Sequence, residues 1–175
     1  MTDQIDAQGF RANVGIVLMH GDGRVFLGRR AGGKGWQFPQ GGLHQGESAE
    51  EGMYRELAEE IGLEASHVEI VGVTRRWLRY RLPPRFQRRE QLPLCIGQKQ
   101  RWYLLRARDL EPPFRFDTTA VPEFSEWRWA DYWDPIQEVI HFKRRVYERA
   151  LHELGRLAFP EGLPPYPNWW TRPTR

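Results

Sequence analysis

The sequence predicts a single mixed α/β domain, on three observations. A strong helix signal over Ser48–Gly62 carries start and stop residues at its two ends, β-branched runs lie on both sides of it, and 175 residues with 40% hydrophobic content suffice for one core. The elements follow in order. Asn13–Met19 reads as a strand, and Arg24–Gly28 as its return across the turn residues His20-Gly21-Asp22-Gly23. Ala31–Gly35, with three glycines in five residues, reads as a loop. In the helix, Ser48 and Glu51 have the spacing of a capping box and Gly62 stands where a glycine ends a helix. Val68–Arg76 and Leu94–Arg106 read as strands, with Pro83-Pro84 breaking the segment between them. Glu126–Ala130 reads as another short strand. Phe142–Leu157 reads as a helix, with Val146, Tyr147, Ala150, Leu151 and Leu154 at helical spacing. The body then covers 8–158, and 159–175, with five prolines from Pro160 on, reads as a tail; Trp169-Trp170 in it either docks or is exposed.

Composition excludes several classes. Apolar runs such as Val14–Met19 fall far short of the roughly 20 residues a membrane helix needs, so no membrane partner is expected. Met1–Gln4 lacks the basic-then-apolar pattern of a signal peptide, and Cys95 is the only cysteine, which excludes a disulfide framework and a Cys-rich zinc site. A cytoplasmic protein is the expectation.

The net charge is only +3, but its distribution is uneven. Of 26 basic residues, 23 are Arg, which arises either from codon bias or from phosphate recognition by planar guanidinium groups. Arg75–Arg89 holds seven Arg and no acid, whereas Glu47–Glu64 holds seven Glu and one base, Arg55. The first stretch suits an anion and the second a cation, the pairing that metal-assisted chemistry on phosphates requires. Trp77, Tyr80 and Phe86 interleave the arginines, which favours an RNA backbone over a solvated loop.

The acidic stretch resolves further on a helical wheel. At 100° per residue, Glu60 lies about 40° from Glu56, and Glu59 about 60° to the other side. Three carboxylates on one face repel unless a cation offsets them, and oxygen donors at this density suit Mg²⁺ or Mn²⁺. Met53, Leu57 and Ile61 lie on the opposite flank and anchor the helix. Taken alone, a solvated acidic face explains the same residues. The five histidines show no ligand spacing and receive no catalytic role.

Context decides between these readings. Gly41, Glu47, Arg55, Glu56, Leu57, Glu59, Glu60, Gly62 and Leu63 fill every fixed place of the pattern G-x5-E-x7-R-E-U-x-E-E-x-G-U, with U aliphatic. In this the chain resembles the Nudix hydrolases. The resemblance implies an α/β/α sandwich with a mixed sheet, a loop–helix–loop active site and metal-assisted water attack at phosphorus. It makes Glu56, Glu59 and Glu60 metal ligands with Gly41 alongside, and it makes Glu47 a structural brace paired to Arg55. Gly41 and Gly42 would let backbone approach metal and phosphates.

A narrower resemblance runs from about Phe10 to Leu151. Phe10–Gly15, Trp36–Gly42, Trp77–Tyr80, Cys95–Gln100, Pro122–Phe124 and Phe142–Arg144 are similar to the bacterial RNA pyrophosphohydrolases, with Ala12 standing where the best-known members carry proline. This implies an enzyme that converts a 5′-triphosphate or 5′-diphosphate end of single-stranded RNA to a monophosphate with Mg²⁺, initiating RNA decay. Catalysis would involve Glu56, Glu60, Arg55 and a further metal ligand, Glu123. Arg11, Arg30 and Lys143 would hold phosphates, Gln40, Tyr80 and Gln98 would line the cleft, and Phe142 would stack on a base. Each has a plainer reading: surface cations for Arg11 and Arg30, core aromatics for Tyr80 and Phe142, an exposed strand residue for Gln98, a turn for Glu123. A diadenosine polyphosphate hydrolase is the adjacent alternative, and a non-catalytic RNA-binding module the alternative of another class.

Overall fold

A computed structural model describes residues 3–33 and 35–171. Residues 1–2, residue 34 of the predicted loop and 172–175 of the predicted tail lie outside the described residues.

The longest strands lie at the middle of the sheet. β1 (Phe10–Met19) and β7 (Gly97–Ala107) run parallel from the pair Phe10 and Gly97 to Met19 and Arg106. β2 (Val25–Arg30) returns antiparallel to β1 and carries β3 (Trp36–Gln37) and β8 (Phe124–Ala130). β4 (Gln40–Gly42) pairs with β1, while β5 (Val68–Val73) and β6 (Leu78–Arg81) pair with β7. The sheet is therefore mixed, as expected.

Alternation along the strands builds two cores. Val17, Met19, Trp102 and Leu104 face α2 (Asp134–Glu138) and α3 (Arg144–Ala158), where Tyr147, Leu151 and Leu154 are fully buried. Val14, Ile16, Leu18, Tyr103 and Leu105 face α1 (Ala49–Ile61). Met53, Leu57 and Ile61 of α1 are fully buried, each contributing roughly 1.5–3 kcal/mol, so the acidic helix is mounted on a packed flank. Ser48 Oγ accepts the Glu51 N–H, and Gly62 ends the helix at φ 73°.

Several details differ from the sequence reading. β6 was not predicted; its four residues are too few to display a period, yet Leu78 and Tyr80 are buried and Arg79 and Arg81 exposed. The predicted helix from Phe142 begins instead at Arg144, because His141–Lys143 forms a tighter 3₁₀ turn that buries Lys143. The segment from Pro160 to Thr171 packs against the body. Leu163, Trp169 and Trp170 lie on the α3-side core, and Trp133 Nε1 donates to Pro164 O at 2.9 Å. No helix among the described residues is long and apolar enough to cross a membrane.

Candidate active site

The site lies where β4 passes in front of α1. Gly41 faces the helix so closely that a Cβ there would stand 2.0 Å from the Glu56 carboxyl carbon. One position on, a Cβ on Gly42 would stand 2.2 Å from Arg11 Nη2. The two glycines thus bring a carboxylate and a guanidinium onto the two sides of one bare stretch of backbone.

Arg55 ties the preceding loop to the helix. Its Nε donates to Glu47 Oε1 at 2.7 Å, Nη2 to Gly42 O at 2.8 Å, and Nη1 to Glu56 Oε1 at 2.7 Å and Glu59 Oε2 at 3.2 Å. Glu47 accepts the His44 N–H as well, so the loop closes on itself. The Arg55 guanidinium holds the Glu47 carboxyl below the usual range, and Glu47 in turn raises Arg55.

Burial divides the three helix carboxylates that the wheel put together. Glu59 is exposed, whereas Glu56 and Glu60 are 7% and 8% exposed. Glu60 Oε2 accepts the Gln40 N–H at 3.1 Å. Burial first, then the charges of Glu56 and Glu123, push the Glu60 carboxyl well up. Burial also raises Glu56, against the pull of Arg55. Glu123, from the loop before β8, lies close enough for its charge to act on Glu60.

A buried cation lies near these carboxylates. Lys143 is buried, and burial followed by the Arg30 charge pushes its amine down to about 8, offset in part by Glu123 and Glu60. Gln37, buried and not foreseen from the sequence, links Glu123 and Lys143. Its Nε2 donates to Glu123 Oε1 at 3.2 Å and its Oε1 accepts from Lys143 Nζ at 3.3 Å. A glutamine carries no signal of its own; only its place in the segment Trp36–Gly42 pointed near it.

The remaining expected residues line the same face. Gln40 Oε1 accepts from Gln100 Nε2, which also donates to Asn13. Tyr80 is buried with its hydroxyl pushed up by burial, and Phe142 lies 6.0 Å from its ring and 5.4 Å from Phe86. Phe142 is thus a half-buried member of an aromatic wall. Arg11 and Gln98 line an adjoining cavity of about 310 Å³ with Phe86, Arg88 and Cys95. Arg11 Nε and Gln98 Oε1 are buried there without hydrogen-bond partners among the described residues. Arg11 Nη2 pairs with Asp3 at 3.0 Å.

These residues fit a hard divalent cation by the chemistry of their donors. Two buried carboxylates with a third close by need an added positive charge to ionise together, and carboxylate oxygens select hard ions. Among the described residues no three His, Cys, Asp or Glu side chains form a ready-made ligand set. Arg55 draws Glu56 and Glu59 to itself, and Gln37 holds Glu123.

A mixed sheet between helices, with a carboxylate helix behind a glycine strand, defines a phosphoanhydride hydrolase of the Nudix class. The NUDIX domain model matches residues 9–150, and the chain belongs to that family, whose hydrolases depend on divalent cations. Among its relatives, the RNA pyrophosphohydrolase of Alkalilimnicola ehrlichii is 55% identical over 163 residues, 93% of this chain and 90% of the relative. The RNA pyrophosphohydrolase of Thioalkalivibrio sulfidiphilus is 54% identical over 160 residues, 91% of this chain and 92% of the relative. Among solved structures, the E. coli dihydroneopterin triphosphate pyrophosphohydrolase aligns with a TM-score of 0.65 at 18% identity, covering 81% of this chain and 95% of that one. At that identity the likeness concerns the fold.

Proposed function

We propose that this chain is an RNA pyrophosphohydrolase that removes pyrophosphate or phosphate from the 5′ end of single-stranded RNA and leaves a monophosphate. One observation carries the reading: Gln37 hydrogen-bonds both Glu123 and the buried Lys143, so a carboxylate whose charge acts on Glu60 and an amine suited to phosphate stand on the two sides of one side chain. The names of the relatives that align along nearly the whole chain support RNA as the substrate.

Mg²⁺, with Mn²⁺ as a substitute, would be held by Glu56, Glu59, Glu60 and Glu123 beside Gly41, and when bound it supplies Lewis acidity and a more acidic water. The protein's own groups do the rest. Arg11, Arg30 and Lys143 hold the phosphate oxygens and offset charge on the departing pyrophosphate. Gln37 keeps the Glu123 carboxylate and the Lys143 amine at fixed separation. A carboxylate, that of Glu56 or Glu123, accepts the proton of the attacking water. Arg55 and Glu47 fix the loop that carries Gly41 and Gly42. Tyr80, Gln98, Gln40 and Phe142 form the wall against which the first nucleotides lie. The intact carboxylate set argues against a non-catalytic binding module.

The test is conversion of a 5′-triphosphorylated RNA to its monophosphate with Mg²⁺. Product formation by the wild type and its loss in Glu60→Gln support the reading; an unaltered 5′ end in the wild type rejects it.

A further inference from the structure

We propose that the body of the RNA, downstream of its 5′ end, crosses the edge strand β6 and continues on the α1 face of the sheet, along arginines seated on aromatic rings. This rests on the RNA-end reading and adds a second contact surface outside the cleft.

The seven arginines of Arg75–Arg89 are all exposed, and none forms an ion pair with a carboxylate among the described residues. Strand alternation puts the two arginines of β6 on one face. Tyr80 turns to the α3 face and joins the cleft wall, while Arg79 and Arg81 turn the other way, with Cζ atoms 5.6 and 5.8 Å from the centre of the Phe10 ring. On the adjacent strand, Lys99 is in register with Arg79, and Lys99 and Arg101 lie 5.3 and 5.9 Å from the centre of the Trp77 ring. Asp6, 3.1 Å from Lys99, neutralises that cation, so Arg79, Arg81 and Arg101 carry the track.

The loop after β6 connects the track to the cleft. Arg85 lies 4.9 Å over Phe86, which packs on Phe142, and Arg88 lines the cavity that also holds Arg11. Charge therefore continues from the phosphate wall, past Phe86, over β6 and onto the opposite face. A second cavity of about 310 Å³ opens on that face, with Trp77 and Lys99 opposite Gln4, Ile5 and Gln45.

The chemistry fits a single strand of nucleic acid. A guanidinium drawn to a ring by cation–π attraction still has N–H groups free for phosphate oxygens. Arg79 and Arg81 are two residues apart on a strand, about 6.6 Å, a spacing comparable to the repeat of an extended nucleic-acid backbone. Half-buried Trp77 offers a face on which any base stacks.

The experiment uses 5′-triphosphorylated RNAs of 2 and 20 nucleotides with the same first two bases. The wild type is expected to favour the longer RNA in kcat/KM by about tenfold or more at low salt, through KM. Arg79→Ala with Arg81→Ala should lower that preference about tenfold and make the salt slope for the long RNA shallower by about 1.4, two phosphates at roughly 0.7 each. Arg149→Ala with Arg156→Ala, which removes two exposed arginines on α3, should leave the preference unchanged. Hydrolysis of both RNAs with no length preference overturns the track and leaves the RNA-end reading intact. An equal fall in the α3 pair also overturns it, since net charge alone then explains the effect. Failure to hydrolyse either RNA removes the RNA-end reading and the track with it.

Discussion

Arg55 Nε lies 2.7 Å from Glu47 Oε1, and this pair fixes the active-site loop to the helix behind it. The same guanidinium reaches Gly42 O and the Glu56 and Glu59 carboxylates, a fork that an ammonium cannot reproduce. Arg55→Lys is therefore expected to lower kcat about 10-fold or more, and Arg55→Ala about 100-fold, while urea melts show a loss of about 1–3 kcal/mol. Wild-type kcat in Arg55→Lys would show that the fork has no part in the site.

Glu60→Gln removes a carboxylate that sits buried beside Glu56 and Glu123. Turnover should fall by at least about 100-fold. The melting temperature of the metal-free protein should hold or rise, because the neutral amide is spared the cost of burying a charge. Near-normal rates in this variant would remove the helix from the catalytic assignment.

Gly41→Ala tests the close approach of β4 to α1. Its Cβ would collide with the Glu56 carboxyl, so the carboxylate or the strand must shift. We expect a kcat loss of about 10-fold or more with a folded protein by circular dichroism, since a misplacement of about 1 Å costs on the order of 100-fold. An active Gly41→Ala enzyme would contradict the packed geometry.

Lys143, proposed to hold a phosphate, should give the reaction a pH limit. Its amine is pushed down to about 8 by burial, so it carries its charge below that pH and loses it above. The kcat/KM for the triphosphate substrate should decline above about pH 8, and Lys143→Met should lower the plateau and abolish that decline. The unfolded chain holds its lysine proton up to the ordinary value of 10.5, so this group's contribution to stability rises with pH between about 8 and 10.5. A decline of the same shape in Lys143→Met would assign the limit to another group.

The helix was legible because its information is local: caps at both ends, apolar anchors on one flank and charged residues at fixed spacing. The differing burial of Glu56, Glu59 and Glu60 was not, since it depends on where β4 crosses the helix. Gln37 was missed because its importance comes from two partners, at positions 123 and 143, that the fold brings to it. The prolines of the C-terminal segment suggested a tail, yet proline only removes a donor and fixes φ; Leu163, Trp169 and Trp170 supply the apolar area that docks the segment. Truncation after Phe159 should accordingly lower Tm by several degrees, at about 2–4 °C per kcal/mol.

The most direct measurement offers the purified protein 5′-triphosphorylated RNA and diadenosine tetraphosphate in one tube with Mg²⁺, following product from each. The expected result is a higher kcat/KM for the RNA, by about tenfold or more, with a 5′-monophosphate end as product. A preference for the dinucleotide, or activity on neither, would contradict the RNA-end reading.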